Sequence, residues 1–277
     1  MDFIKKMEYF VGIDSDGTAF DSMTIKHTDS FIPAAIEIFK LQECEQIYRE
    51  AAERINLFSL MRGINRFPGL LLALQEMQKK KLWEGNVEEL EKYIKSGYAL
   101  SNTGLETWIA EHPSDFMEKV LAWSRLGDVY FKKLTLDIPP FDGVAEAVEH
   151  MRQHADIMVV SAASAAGLMK DWGNAGLAQK VSFIAGQEFG GKDKQLLYAV
   201  DRGFDRNKML MIGDAPGDYE AAKKAGIHFY PVIPGKEKEC WNLLCRKYFN
   251  LFITGQYDEI TENALYQEFL GCLKGEA

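Results

Sequence analysis

The sequence predicts an α/β fold, a mostly parallel sheet with helices packed around it, whose chain is interrupted by an all-helical insert. Three observations predict this. Two short apolar runs end abruptly in acidic, glycine-containing loops: YFVGI runs into DSDGT, and KMLMI runs into GDAPGD. From about residue 135 onward, strand-like and helix-like stretches alternate. Between residues 22 and 134 the spacing is helical and strand-like alternation is scarce.

Taken in order, residues 9–13 form a short buried strand that stops at a cluster of turn formers. The insert follows, with long helical runs such as FIPAAIEIFKLQECEQIYREAAERINLFSLM and GNVEELEKYIKSGYAL. DGVAEAVEHMRQH then reads as a helix with Gly143 near its start, and DIMVVSAAS as a buried strand ending in small polar residues. AAGLMKDWGNAG is a helix, VSFIAGQ a strand and KDKQLLYAVDRG a helix. KMLMIGDAPGD is a strand entering an acidic loop, DYEAAKKAG a helix and IHFYPVI a strand. Repeated βα units imply a parallel sheet with right-handed crossovers. The tail from Lys236 reads as two or three helices. The expected division is therefore residues 1–21 plus 135–277 for the sheet domain and 22–134 for the helical insert. An insert leaving the chain at the end of strand one is expected to sit over the site.

At 277 residues, with 47% hydrophobic and 26% charged residues, the chain has the composition of an ordinary globular protein with room for one large domain or two modest ones. A net charge of -9 disfavours nucleic acid and anionic membranes as partners. It also repels a phosphorylated substrate unless a local cation corrects the field. Cys44, Cys240, Cys245 and Cys272 form no CxxC pair and no zinc spacing, so free thiols in a reducing cytosol are expected. No stretch reaches the length of a membrane span and no export signal is visible, so the expected location is cytoplasmic.

Three strand ends carry the residues with chemical potential: Asp14 and Asp16, then Ser161, then Asp214 and Asp218. In a parallel sheet these ends share one edge, so residues distant in sequence meet in one crevice. Carboxylates packed together repel unless a cation lies between them. Magnesium suits such a place, being hard, oxygen-seeking and content with one or two carboxylates plus water and phosphate oxygens. DSDG alone reads more readily as a surface turn; GDAPGD after a second apolar strand is what weakens that reading. A calcium loop is excluded because its glycine belongs at the sixth position and Gly17 is fourth. GQEFGGKD is not a phosphate-binding P-loop, because Asp193 stands where Ser or Thr would follow the lysine.

These motifs together resemble those of the haloacid dehalogenase-like hydrolase superfamily. DSDGTAFD resembles its first motif, VVSAAS its second, the lysine of GGKDKQ its third and MIGDAPGD its fourth. The resemblance covers the sheet domain in order and spacing, and the insert lies where this superfamily places a cap. It implies a Rossmann-like core and a phosphohydrolase in which Asp14 attacks phosphorus while Asp16 acts as acid and base. It further implies Mg2+ at Asp14, Asp16 (through its backbone carbonyl), Asp214 and Asp218, and phosphate binding by Thr18, Ser161, Ala162 and Lys192. Ala162 stands where Asn is common, which removes a side-chain contact and leaves the backbone N–H. Lys192, beside Gly190 and Gly191, is preferred for the third motif, with Lys194 left open. Asp16 favours phosphate esters, since family members that expel halide or cleave carbon–phosphorus bonds generally lack it. The implied partner is a small phosphorylated metabolite; the oligomeric state is not readable. A sugar-phosphate mutase and a non-catalytic phosphometabolite-binding protein are the alternatives. In the insert, Arg62, Asn65 and Arg66 of MRGINRFPG are candidates for substrate selection, against a reading as solvated residues of a helix or loop. Trp83, Trp108, Trp123 and Trp172 read as packing residues, and Trp241 with the C-terminal helices as cover for a face of the sheet.

Overall fold

Strand β1 (Tyr9–Ile13) is the centre of a five-stranded parallel sheet completed by β2 (Ala155–Val160), β3 (Phe183–Ala185), β4 (Met209–Gly213) and β5 (His228–Pro231). The structure is a computed structural model and describes residues 3–134 and 137–275. The strands lie in the order β3-β2-β1-β4-β5. Each parallel pairing needs a crossover. Helices Ala165–Asn174, Lys192–Asp201 and Pro216–Ala225 lie in those crossovers, and Val144–Met151 precedes β2.

Alternate residues of each strand enter separate cores. Val11, Ile13, Ile157, Val159, Leu210 and Ile212 join one cluster; Phe10, Met158, Val160, Met209 and Met211 join the other. Burial on both faces explains why these strands read as continuous apolar runs. Gly12 sits on the second face, where an added Cβ would meet Met211, Leu196 and Val160 at 3.1–3.2 Å. Its missing side chain lets the Lys192–Asp201 helix lie close to β1. The order of strands reverses at β1: the chain moves outward through β2 and β3, then returns to place β4 on the other side. The crevice beyond the carboxyl ends of β1 and β4 is where such sheets bind ligands.

The chain divides into two compact units, Met1–Ser22 with Asp137–Ala277, and Met23–Leu136. The expected return boundary at 134/135 falls against residues 135 and 136, which lie outside the described residues. In the first unit the outgoing and returning strands of chain meet, Phe20 bridging to Pro140 and Phe141 N–H donating to the Ala19 carbonyl at 2.9 Å. The second unit is helical throughout, with its main helices at Ile32–Ile38, Glu45–Leu57, Arg66–Lys79, Glu88–Lys95, Asn102–Glu111 and Asp115–Lys133. Its own core includes Phe67, Leu74, Met77, Leu90, Tyr93 and Trp123.

Two stretches differ from expectation. VSFIAGQ yields only three strand residues, at the sheet edge. The helix expected from Asp218 onward begins earlier, at Pro216, because proline is suited to the first helical position and the Asp218 carboxylate turns back to accept the N–H groups of Asp214 and Ala215. The tail forms helices Glu237–Leu243, Phe249–Ile253 and Glu259–Lys274. Trp241, Phe249, Phe252 and Phe269 from this tail pack into the cluster on the Val11 face of the sheet.

Asn65 caps the Arg66–Lys79 helix, its Oδ1 accepting from Phe67 N–H at 3.0 Å while its Nδ2 donates to the Leu100 carbonyl at 3.0 Å. Loss of a cap of this kind costs about 1 kcal/mol. Asn65→Ala is therefore expected to lower the melting temperature by about 2–4 °C, measured by differential scanning fluorimetry.

Candidate active site

Asp14 follows the last residue of β1, and its backbone N–H continues the ladder to the Ile212 carbonyl at 3.0 Å. Asp214 follows the last residue of the neighbouring β4. Strand register thus forces two carboxylates from opposite ends of the sequence into one place. Asp218, one turn into the next helix, joins them: ligand oxygens of Asp14, Asp214 and Asp218 all lie within 4.8 Å of one another. All three are buried, with Asp14 3% exposed and the other two 0%.

Asp218 reaches this position because Gly213 has no side chain; a Cβ there would stand 2.4 Å from the Asp218 Cβ. Its Oδ2 accepts from the N–H groups of Asp214 and Ala215, each at 3.1 Å. Its Oδ1 is paired with Lys192, whose ammonium also lies 3.0 Å from Asp14 Oδ1. Lys192 is the first residue of its helix, whereas Lys194 is exposed. Of the two lysines weighed from sequence, Lys192 is the one at the carboxylates.

Burial pushes the Asp14 carboxyl well above its ordinary range; Lys192 opposes this, and Asp218 and Asp214 add to it. Asp218 is also raised, first by burial and then by Asp214, against Lys192. For Lys192 burial acts downward, but Asp14, Asp218 and Asp214 outweigh it and raise its pKa. The three carboxylates and one ammonium carry two uncompensated negative charges when ionised. A buried site of that sign, lined with carboxylate oxygen, fits a hard divalent cation.

Thr18 is fully buried and links the two strand ends. Its hydroxyl donates to Asp214 Oδ1 and lies 3.4 Å from Asp14 Oδ2. Asp16 is half-buried and accepts a hydrogen bond from Ser22 Oγ. Ser161 lies just past β2, its N–H shared between the Ala185 carbonyl at 3.2 Å and Gln195 Oε1 at 3.0 Å; Ala162 beside it is exposed.

Several supporting residues escaped the sequence reading. Gln195 is fully buried and holds both sides of the Ser161 peptide, accepting from its N–H and donating to its carbonyl at 2.9 Å. The same amide donates to the carbonyls of Gly186 and Gly190. A signal existed: Gln195 shares the buried face of its helix with Leu196 and Ala199. Trp172, read as a packing residue, and Trp241, read as cover for a face of the sheet, also hold the loop that follows β1. Trp172 Nε1 donates to Ser15 Oγ and Trp241 Nε1 to the Thr18 carbonyl, each at 3.0 Å. Nothing in the sequence marks these indoles as different from the others.

The residues singled out in the insert are engaged within it. Arg62 is buried, so it is not a solvated arginine, and its Nη1 donates to the Leu57 carbonyl at 2.7 Å. Asn65 is the helix cap described above. Arg66 pairs with Asp128 at 2.7 Å and stacks over the Phe31 ring at 5.0 Å. Any substrate contact would compete with these bonds.

Comparison with known proteins agrees with the architecture. The profile of the haloacid dehalogenase-like hydrolases matches residues 64–232, more than half of the chain. No curated protein sequence matches. A structure from Haemophilus somnus 129PT, predicted to be a phosphoglycolate phosphatase, is 16% identical with a TM-score of 0.52, over 82% of this chain and 86% of that one. One from Lactobacillus delbrueckii subsp. bulgaricus, with the same provisional assignment, is 17% identical with a TM-score of 0.51, over 83% and 88%. At such identities the likeness is one of fold. The parallel sheet, the acidic centre at its carboxyl edge and the matched profile lead to one conclusion: this chain belongs to the haloacid dehalogenase-like hydrolases.

Proposed function

We propose that this hydrolase is a phosphatase for a small phosphorylated metabolite, working with Mg2+ and with Asp14 as nucleophile. The observation that carries the reading is the buried Asp14–Asp214–Asp218 cluster with Lys192 as its cation. Displacement of halide requires neither a metal nor a proton donor. A site with two excess negative charges and a second aspartate two residues after the nucleophile suits phosphoryl transfer better.

Asp14 and Asp214 would hold the metal, with Asp218 in support and the Asp16 backbone carbonyl as a further oxygen. Bound Mg2+ would offset the cluster's negative charge and draw electron density from the phosphoryl oxygens. The ionised Asp14 attacks phosphorus, forming an acyl phosphate and expelling the alcohol. Asp16 protonates that alcohol as it leaves. The deprotonated Asp16 then takes a proton from water, which attacks phosphorus and regenerates Asp14. A positioned acid/base of this kind contributes about 10²–10⁴ in rate. Lys192, beside Asp14 Oδ1, supplies positive charge where the phosphoryl oxygens gather negative charge. Ser161 and the Ala162 N–H bind those oxygens, Gln195 keeping the Ser161 peptide in place. Splitting one displacement into two is the advantage of the covalent route.

The test is release of inorganic phosphate from a panel of phosphorylated metabolites and from p-nitrophenyl phosphate. Activity is expected with Mg2+, lost in EDTA and restored by Mg2+; full turnover without metal contradicts the proposal. An isomeric sugar phosphate as product, without free phosphate, identifies a mutase instead. Asp14→Asn keeps the volume and removes the nucleophile, so turnover should fall to background while the circular dichroism spectrum is retained.

The charge imbalance also has a stability consequence. Asp214→Asn removes one of three mutually repelling buried carboxylates and keeps an acceptor for Thr18. In EDTA at neutral pH the variant is expected to melt about 2–4 °C higher than the wild type. With millimolar Mg2+ the order should reverse, because the wild type gains stability from the ion and the variant does not. Melting curves of both proteins with and without metal test this; an Asp214→Asn variant that melts lower in EDTA counts against it.

A further inference from the structure

The C-terminal helices begin after β5, beyond residue 232, where the family match ends. One buried contact nonetheless connects them to the nucleophile loop. Trp241, in helix Glu237–Leu243, is fully buried and donates its indole N–H to the Thr18 carbonyl at 3.0 Å. Thr18 in turn sends its hydroxyl to Asp214 Oδ1 and lies within 3.4 Å of Asp14 Oδ2. The path from the tail to the carboxylates is therefore one hydrogen bond, one residue and one more hydrogen bond.

A buried indole needs an acceptor somewhere. What distinguishes Trp241 is that its acceptor belongs to the residue that bridges the two strand-end carboxylates. The helix bearing it is anchored twice at the residue just before the tryptophan. The Cys240 carbonyl accepts from Tyr230 O–H at 2.7 Å, and Cys240 Sγ accepts from Ile233 N–H at 3.3 Å. Both anchors come from the end of β5 and the residues just after it. Trp172 holds the same loop at Ser15 from the Ala165–Asn174 helix. A loop fixed at Ser15 and at Thr18 has little freedom to move the carboxylate of Asp14 away from Asp214.

We propose that Trp241 is a positioning residue for the Asp14–Asp214 centre, acting through Thr18, so that the C-terminal helices are a working part of the active site. This rests on the reading of that centre as a Mg2+ site, and its test is built on Mg2+ alone, without substrate.

Mg2+ affinity is measured by isothermal titration calorimetry for the wild type, Trp241→Phe, Thr18→Val and the double variant. Trp241→Phe keeps an aromatic ring in place and deletes the donor. It is expected to weaken Mg2+ binding by about three- to tenfold, the effect of one lost hydrogen bond. In the Thr18→Val background the same substitution should change affinity by less than about twofold, because the path is already cut. Wild-type affinity in a Trp241→Phe protein that merely melts lower would mean a packing role and overturn the proposal. A full effect of Trp241→Phe without the Thr18 hydroxyl would overturn it too. Should Trp241→Phe fail to fold, hydrogen–deuterium exchange of the wild type decides. Coupling is reciprocal, so Mg2+ should slow exchange in peptides spanning residues 237–243. Exchange there that ignores Mg2+ removes the proposal. A wild type that binds Mg2+ but releases no phosphate defeats the proposed function and leaves this test intact. A wild type that binds no Mg2+ defeats both.

Discussion

Three carboxylates and one ammonium in a dry corner form the constraint around which this molecule is arranged. Left to themselves, Asp14, Asp214 and Asp218 would separate or take up protons. They do not separate, because their positions are dictated by backbone, and burial does raise the pKa of Asp14 and Asp218. β1 and β4 are hydrogen-bonded neighbours, and the first residue beyond each is an aspartate. The strands are held by apolar clusters on both faces, so the favourable burial of Val11, Ile13, Leu210 and Ile212 is what makes the unfavourable burial of charge sustainable.

The same constraint accounts for the polar groups around the centre. Lys192 offsets part of the charge and reaches it because the missing side chain of Gly12 lets its helix lie close to β1. Asp218 satisfies two helix-end N–H groups while presenting its other oxygen to Lys192. Thr18 ties one strand end to the other. Gln195 joins the Ser161 turn to the helix that bears Lys192, so Ser161 and the lysine beside Asp14 are set by one helix. Sites of this kind act through prearranged charge and hydrogen bonds, and buried amides and indoles supply that prearrangement at fixed positions.

The sheet, its parallel sense and the acidic residues at its edge were legible because each is written locally. An apolar run that ends in DSDGT or GDAPGD needs no partner to be recognised. The choice between Lys192 and Lys194 was legible only as a preference for the lysine beside Gly190 and Gly191, since two lysines two residues apart otherwise differ in which face of a helix they occupy. Trp172 and Trp241 were hidden for a different reason, and for Gln195 the only signal was its place on the apolar face of its helix. The bonds between Gln195 and Ser161, Trp172 and Ser15, and Trp241 and Thr18 span 34, 157 and 223 residues, and such pairings exist only once the chain is folded. Arg62 reads as a solvated cation from composition, yet burial and a backbone carbonyl at 2.7 Å give it a structural employment. The early start of the helix at Pro216 reflects a competition: acidic loop residues and helix-starting residues are the same residues there.

The reach of the family match gives the last step. It spans residues 64–232 and therefore includes Ser161, Lys192, Asp214 and Asp218 but neither Asp14 nor Trp241. Sequence similarity alone would leave the Asp14 motif and the tail as unmatched ends. The coordinates join them: Asp14 enters the centre through Lys192 at 3.0 Å and through Thr18, and the tail enters through the Thr18 carbonyl. The two unmatched ends thus meet at Thr18, on the edge of the sheet where the matched part holds its acids, and again where Tyr9 O–H donates to the Ile253 carbonyl at 2.7 Å. A chain can diverge in sequence at both ends and still keep them at one centre, provided the few atoms that touch the charge cluster stay where the strands put them. Outside those atoms the requirement is for apolar volume, which many sequences supply. That difference in tolerance explains how the fold persists at 16–17% identity to solved structures.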